Sequence, residues 1–317
     1  MTGPRYTQLV ESLPASVPFV GPETQERQRG RAFAARIGAN ENVFGPSPKA
    51  IEAMCAAARG VWQYGDPENH DLKEALAAHH SVSPANIVIG EGIDGLLGYL
   101  ARMLVTPGTP VVTSIGAYPT FNYHVNGFGG EITSAPYRDD HEDMDALLEL
   151  ARKSGAPLIY LANPDNPMGS WHEAGAVAAM IDAVPDGALL CLDEAYIEFA
   201  PEGTAPAIDV SNEKVIRFRT FSKAYGMAGA RIGYGIAAPG LIGAFNKVRN
   251  HFGVNLLAQV GAMAALDDEA WLNDVLGKVF AARKRLAEIA RQNGLSCLPS
   301  ATNFVAIDTG RDGDYAR

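Results

Sequence analysis

The sequence predicts an α/β protein with a large domain, a mostly parallel sheet covered by helices, and a smaller α+β domain attached to it. Three observations carry this. Short runs at 86–89, Pro110–Ser114, Leu158–Ala162, 188–192, Val215–Thr220 and 231–237 are almost wholly apolar instead of alternating, as strands covered on both faces are. Helix-length segments at 94–104, Met144–Ser154 and 172–184 separate them, which implies right-handed crossovers between parallel strands. After Ala238 the pattern turns helical, at 241–252, Leu256–Leu266 and 271–293, before Gly294 and a short strand at 304–307.

Along the chain, residues 1–48 are rich in Pro, Gly and Arg and read as an irregular arm that contributes to the small domain. Periodic helix begins at Ser47, an N-cap with Pro48 at the first helical position. Residues 49–250 carry the strand–helix alternation of the large domain, and residues 251–317 form the small C-terminal domain. The strand at 304–307 starts a second layer that the sequence does not complete before Arg317, so this domain is expected to be C-terminally incomplete.

With 317 residues the chain has about two domains' worth of material at ~150 residues each. It is 47% hydrophobic, enough for a large core. Lys and Arg number 26 against 36 Asp and Glu, a formal net charge of −10, so neither a nucleic acid nor an anionic membrane is an expected partner. Cys55, Cys191 and Cys297 lie far apart, and no basic-flanked leader or long apolar span is visible. A soluble protein of the reducing cytoplasm is expected. The seven histidines show no ligand spacing such as H-E-x-x-H, so no metal is expected.

Two nucleotide motifs fail on inspection. Gly90-Glu91-Gly92-Ile93-Asp94-Gly95 follows a strand and opens a helix, as a dinucleotide fingerprint does. That fingerprint needs an acidic residue ~20 positions on, and none occurs between Leu96 and Gly130. What survives is a glycine turn presenting backbone N–H groups at a helix N-terminus, either a generic phosphate site or a tight turn without a ligand. Leu189-Leu190-Cys191-Leu192-Asp193-Glu194 resembles the magnesium-side strand of an ATPase, but the only Gly-Lys pair, Gly277-Lys278, lies within a predicted helix. An acidic pair at the carboxyl end of a strand still faces the crevice where open α/β sheets bind ligands, and a buried Asp there needs a cationic partner.

Lys223 is the candidate. Most of the other lysines occupy helix-like, solvated settings, whereas Thr220-Phe221-Ser222-Lys223 ends a strand and is followed by a Gly/Ala-rich turn and Arg231. A lysine beside hydroxyls and a guanidinium at a sheet edge is what a Schiff-base site for a phosphorylated aldehyde requires.

These pieces, with Asn163-Pro164-Asp165-Asn166-Pro167-Met168-Gly169 and Asp193-Glu194-Ala195-Tyr196, resemble the fold-type I, class I/II pyridoxal-phosphate aminotransferases, and within them the histidinol-phosphate aminotransferase branch. Ala39-Asn40-Glu41-Asn42, Gly45-Pro46-Ser47-Pro48, Tyr64-Gly65-Asp66-Pro67 and Asn303-Phe304 extend the resemblance over residues 36–307. It implies pyridoxal 5′-phosphate as cofactor and ping-pong transfer of an amino group from an amino acid or amino alcohol phosphate, L-histidinol phosphate being favoured, to a 2-oxo acid such as 2-oxoglutarate. It further implies a homodimer with shared active sites.

By that resemblance Lys223 holds the cofactor aldehyde and shuttles the proton, Asp193 pairs with the ring nitrogen, and Tyr196 and Asn166 bind the phenolic oxygen. The phosphate falls to Arg231, Ser222, Thr220 and the backbone N–H groups of Gly92, Ile93 and Asp94. Tyr64 reaches the neighbouring subunit's cofactor. The aromatic that stacks on the ring aligns with Phe121, with Tyr118 as the weaker candidate. Two departures stand out. Family members carry a substrate-carboxylate arginine well beyond the Asn-Phe motif, and Arg311 and Arg317 lie in the wrong context for it; Met168 replaces the common Thr. The alternatives are a decarboxylase of a phosphorylated amino acid, or a silent cofactor-binding protein if the chain truly ends at Arg317.

Overall fold

The apolar runs become strands of one twisted sheet. The computed structural model describes residues 3–15, 19–36 and 38–310. In chain order the helices are α1 (Gln8–Ser12), α2 (Pro22–Arg29), α3 (Pro48–Ala57), α4 (His70–His80), α5 (Gly92–Leu104), α6 (Pro119–Gly127), α7 (Met144–Ser154), α8 (Ala174–Ala183), α9 (Pro239–Phe245), α10 (Leu256–Leu266) and α11 (Glu269–Gln292). The strands are β1 (Ile87–Gly90), β2 (Pro110–Ser114), β3 (Glu131–Ala135), β4 (Tyr137–Arg138), β5 (His141–Glu142), β6 (Leu158–Ala162), β7 (Leu189–Asp193), β8 (Val215–Thr220), β9 (Gly233–Ile236), β10 (Ser296–Cys297) and β11 (Ile307–Asp308).

Seven strands form the main sheet in the order β1-β9-β8-β7-β6-β2-β3, and β9 alone runs antiparallel to both its neighbours. Both faces are covered. Leu158, Tyr160, Cys191, Ile216 and Phe218 pack towards α5 and α6, while Ile159, Leu161, Leu190, Leu192 and Val215 pack towards α7 and α8. That is why β6 and β7 are buried at every position and read as continuous apolar runs. A third cluster joins α3, α4, α10 and α11 to the outer strands through Leu76, Ile89, Phe221 and Ala262.

Register places the chemistry. Ala162 pairs with Asp193, Asp193 with Phe218, and Gly233 with both Thr220 and Gly90. The carboxyl ends of β1, β6, β7 and β8 therefore share one edge with the start of β9, and their loops converge there. Ser47 caps α3 as expected, its hydroxyl accepting the Ala50 N–H at 3.0 Å with Pro48 at the first position.

Several expectations are corrected. The segment 1–48 is not wholly irregular, since it contains α1 and α2. β3 was not foreseen. The helix expected over 241–252 ends at Phe245, and the strand expected at 304–307 reduces to β11, which pairs with β10 over two residues. No helix among the described residues is long and apolar enough to cross a membrane.

Candidate active site

At the shared strand edge lies a cavity of about 420 Å³, and Lys223, Asp193, Tyr196, Asn166, Thr220, Ser222, Arg231, Ile93 and Asp94 all line it. Asp193 closes β7 and turns into the cavity, whereas the next residue, Glu194, points the other way. There Glu194 accepts from Arg217 Nη2 at 2.6 Å and Arg219 Nε at 2.9 Å. The Asp-Glu pair is thus split by strand alternation into one cavity carboxylate and one buried ion-pair anchor.

The Asp193 carboxylate is 6% exposed and accepts two hydrogen bonds, from the Tyr160 hydroxyl at 2.8 Å and the Ala195 N–H at 3.0 Å. Burial pushes its pKa up to about 6 against the pull of those two donors and of Lys223. The same burial brings Lys223 down to about 8, although Asp193 and Glu41 oppose it. Lys223 does not ion-pair with Asp193. Its Nζ donates to the carbonyls of Ala39 at 3.1 Å and Asn40 at 3.4 Å, and lies 5.4 Å from the centre of the Tyr196 ring. Ala39 and Asn40 both adopt the left-handed backbone, at φ 63° and 53°, which is strained for Ala39 and turns the two carbonyls towards the amine.

The Tyr196 hydroxyl accepts from the amides of Asn40 at 3.3 Å and Asn166 at 3.4 Å, and its ring stands edge-on to Phe304. Burial holds this phenol above its ordinary pKa, so it stays protonated. Asn303 Nδ2 donates to the Asn40 carbonyl at 2.9 Å, joining the Asn303-Phe304 motif to the same corner.

The opposite end of the cavity is built for an anion. The amides of Gly92, Ile93 and Asp94 belong to the first turn of α5, where the helix leaves N–H groups unbonded. Gly92 has φ +79°, and a Cβ there would meet Arg231 Nη2 at 2.6 Å, so glycine is what lets the guanidinium lie over the turn. Arg231 is held by the Ala228 and Glu91 carbonyls, with N–H groups to spare. Thr220 Oγ1 lies 3.0 Å from Ser222 Oγ and 3.3 Å from the Ile232 carbonyl and accepts from the Ser222 N–H at 3.0 Å, so Thr220 fixes Ser222 at the cavity wall. The Asp94 carboxylate turns aside to His124 Nε2 at 2.7 Å, and that contact keeps it below the usual range.

Three expected residues are not in the lining; one is Gly92, which lies beneath Arg231. Phe121 is fully buried and stacked on Tyr160 at 4.5 Å, because α6 turns that position into the core; Tyr118, which precedes α6, lines the cavity instead. Tyr64 is 82% exposed and packs on Phe252, outside the cavity. Arg311 and Arg317 lie outside the described residues. Tyr160, Asn40 and Asn303 are functional candidates that the sequence reading did not assign. Asn40 and Asn303 sat within recognised motifs, whereas nothing marked Tyr160.

An aldehyde-binding amine, a buried carboxylate and an anion cradle in one cavity suit a flat, phosphorylated heterocycle. Comparisons with known proteins agree. A family profile described as Aminotransferase class I and II matches residues 35–314. The chain is 37% identical over 308 residues to histidinol-phosphate aminotransferase 2 of Carboxydothermus hydrogenoformans, covering 95% of this chain and 84% of that one. It is 37% identical over 313 residues to the histidinol-phosphate aminotransferase of Anaeromyxobacter sp. (strain Fw109-5), covering 96% and 85%. The crystal structure of histidinol-phosphate aminotransferase from Sinorhizobium meliloti, in complex with pyridoxal-5′-phosphate, superposes with a TM-score of 0.96 at 56% identity over 98% of this chain and 84% of that one. This chain belongs to the class I and II aminotransferase family.

Proposed function

We propose that the protein is a pyridoxal-phosphate-dependent aminotransferase that takes the amino group of L-histidinol phosphate and passes it to 2-oxoglutarate. The observation that supports this most is that the Lys223 amine, the Asp193 carboxylate, Arg231 and the Ile93–Asp94 turn of α5 line one cavity. Pyridoxal phosphate supplies an aldehyde that accepts amines and a ring that stores the electron pair released when a neighbouring carbon loses its proton.

The residues do the rest. The amides opening α5, Ser222 and Arg231 hold the phosphate, as a helix N-terminus and a forked cation hold anions in a net-acidic protein. Asp193, ionised above about pH 6, would pair with the ring nitrogen and favour its protonated form. Tyr196, with Asn166 and Asn40 behind it, donates its proton towards the phenolic oxygen. Tyr118 offers an aromatic face. Lys223, whose charged form is weakened by burial, is in part neutral near pH 8; it takes the proton from the substrate carbon and returns it on the other side of the transfer. The carbonyls of Ala39 and Asn40 receive its N–H groups and hold it at the cavity floor.

In this reading residues 49–250 form the cofactor-binding domain, residues 1–48 and 251–317 complete the small one, and two copies work as a cytoplasmic homodimer in which Tyr64 reaches the neighbouring site. The test is a half-reaction. L-Histidinol phosphate, added to the yellow protein, converts the bound aldehyde to the amine with one equivalent of ketone, and 2-oxoglutarate restores the colour. Carbon dioxide release from a phosphorylated amino acid, with no ketone formed from histidinol phosphate, would make the protein a decarboxylase, and a faster half-reaction with another donor would move the substrate assignment.

A further inference from the structure

Behind the Asn166 loop lie two carboxyl groups that the reaction as described does not use. Glu142, on β5, is 1% exposed, and Asp165, in the loop after β6, is 2% exposed. They stand side by side: Tyr137, which pairs with Glu142 across β4 and β5, donates its hydroxyl to Asp165. Two charged carboxylates this close in a dry site without a cation repel each other, so the pair holds one proton.

The other groups facing the pair supply no countercharge. Glu142 Oε2 accepts from Ser114 Oγ at 2.5 Å and Oε1 from the Ala162 N–H at 2.9 Å. Asp165 Oδ1 accepts from the Tyr137 hydroxyl at 3.0 Å and Oδ2 from the Met168 N–H at 3.0 Å. Tyr137 is held far above its ordinary pKa by burial, so it remains a donor. Tyr160 lies within reach of the Glu142 charge and also stays protonated. The His172 ring contacts only the Glu142 backbone carbonyl, at 2.9 Å, with its charge disfavoured by burial. His141, Asp143 and Arg138 stand beyond His172, and Arg138 is paired with Asp143 and Asp145.

These contacts clamp both ends of one segment. Glu142 holds Ala162, where β6 ends. Asp165 caps Met168, and its own backbone is tied to Ser170 and Gly169 at 2.8 and 3.1 Å. Between those anchors Pro164 and Asn166 enter the cavity, and Asn166 donates to Tyr196. We propose that Glu142 and Asp165 are positioning residues for the transfer reaction: a carboxyl pair that shares one proton and through it fixes the Asn166 loop against the bound cofactor. This rests on the cofactor assignment above. Loss of the proton puts two adjacent charges in a dry site and loosens the loop. Burial and the neighbouring Asp165 carry Glu142 up to about 8, and burial raises Asp165 as well, so the loss falls on the alkaline side of neutrality.

The probe is pyridoxamine 5′-phosphate, which lacks the aldehyde and so leaves the titration of Lys223 out of covalent binding. Its Kd is measured from pH 7 to pH 9 in the wild-type dimer, in Asp165→Asn and in Glu142→Gln. Each amide supplies the donor permanently. One unit above about 8 only about a tenth of the pair keeps its proton, so the wild-type Kd rises about tenfold relative to either variant across this range. A variant that folds, shown by an unchanged circular dichroism spectrum, and has a flat ratio to wild type at every pH overturns the shared proton. Should one variant fail to fold, the other decides. Wild type that binds no pyridoxamine 5′-phosphate at pH 7 overturns the cofactor assignment instead, so the two failures are distinct.

Discussion

Asp193 and Lys223 feel the same burial with opposite sign, the acid carried up to about 6 and the amine down to about 8. Both shifts bring groups that are fully charged in water closer to exchanging protons near neutrality. Tyr160 works against the first, since its hydroxyl bond favours the ionised Asp193. Tyr160→Phe keeps the ring stack on Phe121 and removes only that donor, worth about 1.5–3 kcal/mol for a bond to a charged group. Asp193 then binds its proton more readily. The acid limb of the kcat/KM profile is expected to move up by about one to two pH units, with the alkaline side unchanged, and steady-state rates between pH 5 and 9 measure it. An unmoved acid limb would remove Tyr160 from the chemistry. Lys223 and Asp193 were legible in the sequence because their chemistry is unusual where strands end. Tyr160 was not, because Leu158-Ile159-Tyr160-Leu161-Ala162 reads as plain core, and only the strand's phase shows that the hydroxyl reaches β7. Phe121 was misplaced in the same way, since α6 turns it into the core, while Tyr118, the weaker candidate, precedes the helix and lines the cavity.

At the scale of elements, the anion cradle depends on how β1 passes into α5. Gly92 stands at φ +79° with Arg231 laid over it, so a methyl group meets two obstacles there, backbone strain and the guanidinium. Gly92→Ala costs about 1–2 kcal/mol in strain alone and pushes Arg231 off the helix end. The expected outcome is a lowered melting temperature and a cofactor Kd raised about tenfold or more, from the loss of a charge-assisted contact. Gly95→Ala meets only the Glu91 side chain, which can move, and serves as the control. A Gly92→Ala protein with wild-type affinity would show that the phosphate is held elsewhere. The glycine turn was visible in the sequence as a phosphate motif; its dependence on Arg231, far along the chain, was not. β3 escaped notice for a related reason. Glu131–Ala135 is an edge strand with alternating exposure, and its Glu, Thr and Ser leave no apolar run. The buried interior strands matched their expected positions closely because both faces constrain them.

The molecule as a whole carries a formal charge of −10, so the overall field does not favour pairing of two copies, and a homodimer would draw on local surface instead. Val61, Trp62, Tyr64 and Phe252 are all exposed, with the Tyr64 and Phe252 rings 4.6 Å apart, and Tyr64 stands outside the cavity of its own chain. The homodimer proposed above gives these residues a place to be buried and sends Tyr64 to the neighbouring phosphate. Complementation tests this directly. Lys223→Ala removes the amine from its own cavity, while Tyr64→Ala damages only the cavity of the partner. Each variant alone should be nearly inactive. In an equal mixture allowed to exchange subunits, half the dimers are hybrids, and each hybrid has one cavity with both residues intact. Activity per subunit should therefore recover to about a quarter of wild type. If Tyr64 served its own cavity, every hybrid would contain one site lacking the lysine and one lacking the tyrosine, and mixing would restore nothing. A mixture no more active than the mean of its components, with exchange verified by a mass-tagged subunit, would therefore place Tyr64 outside the shared site.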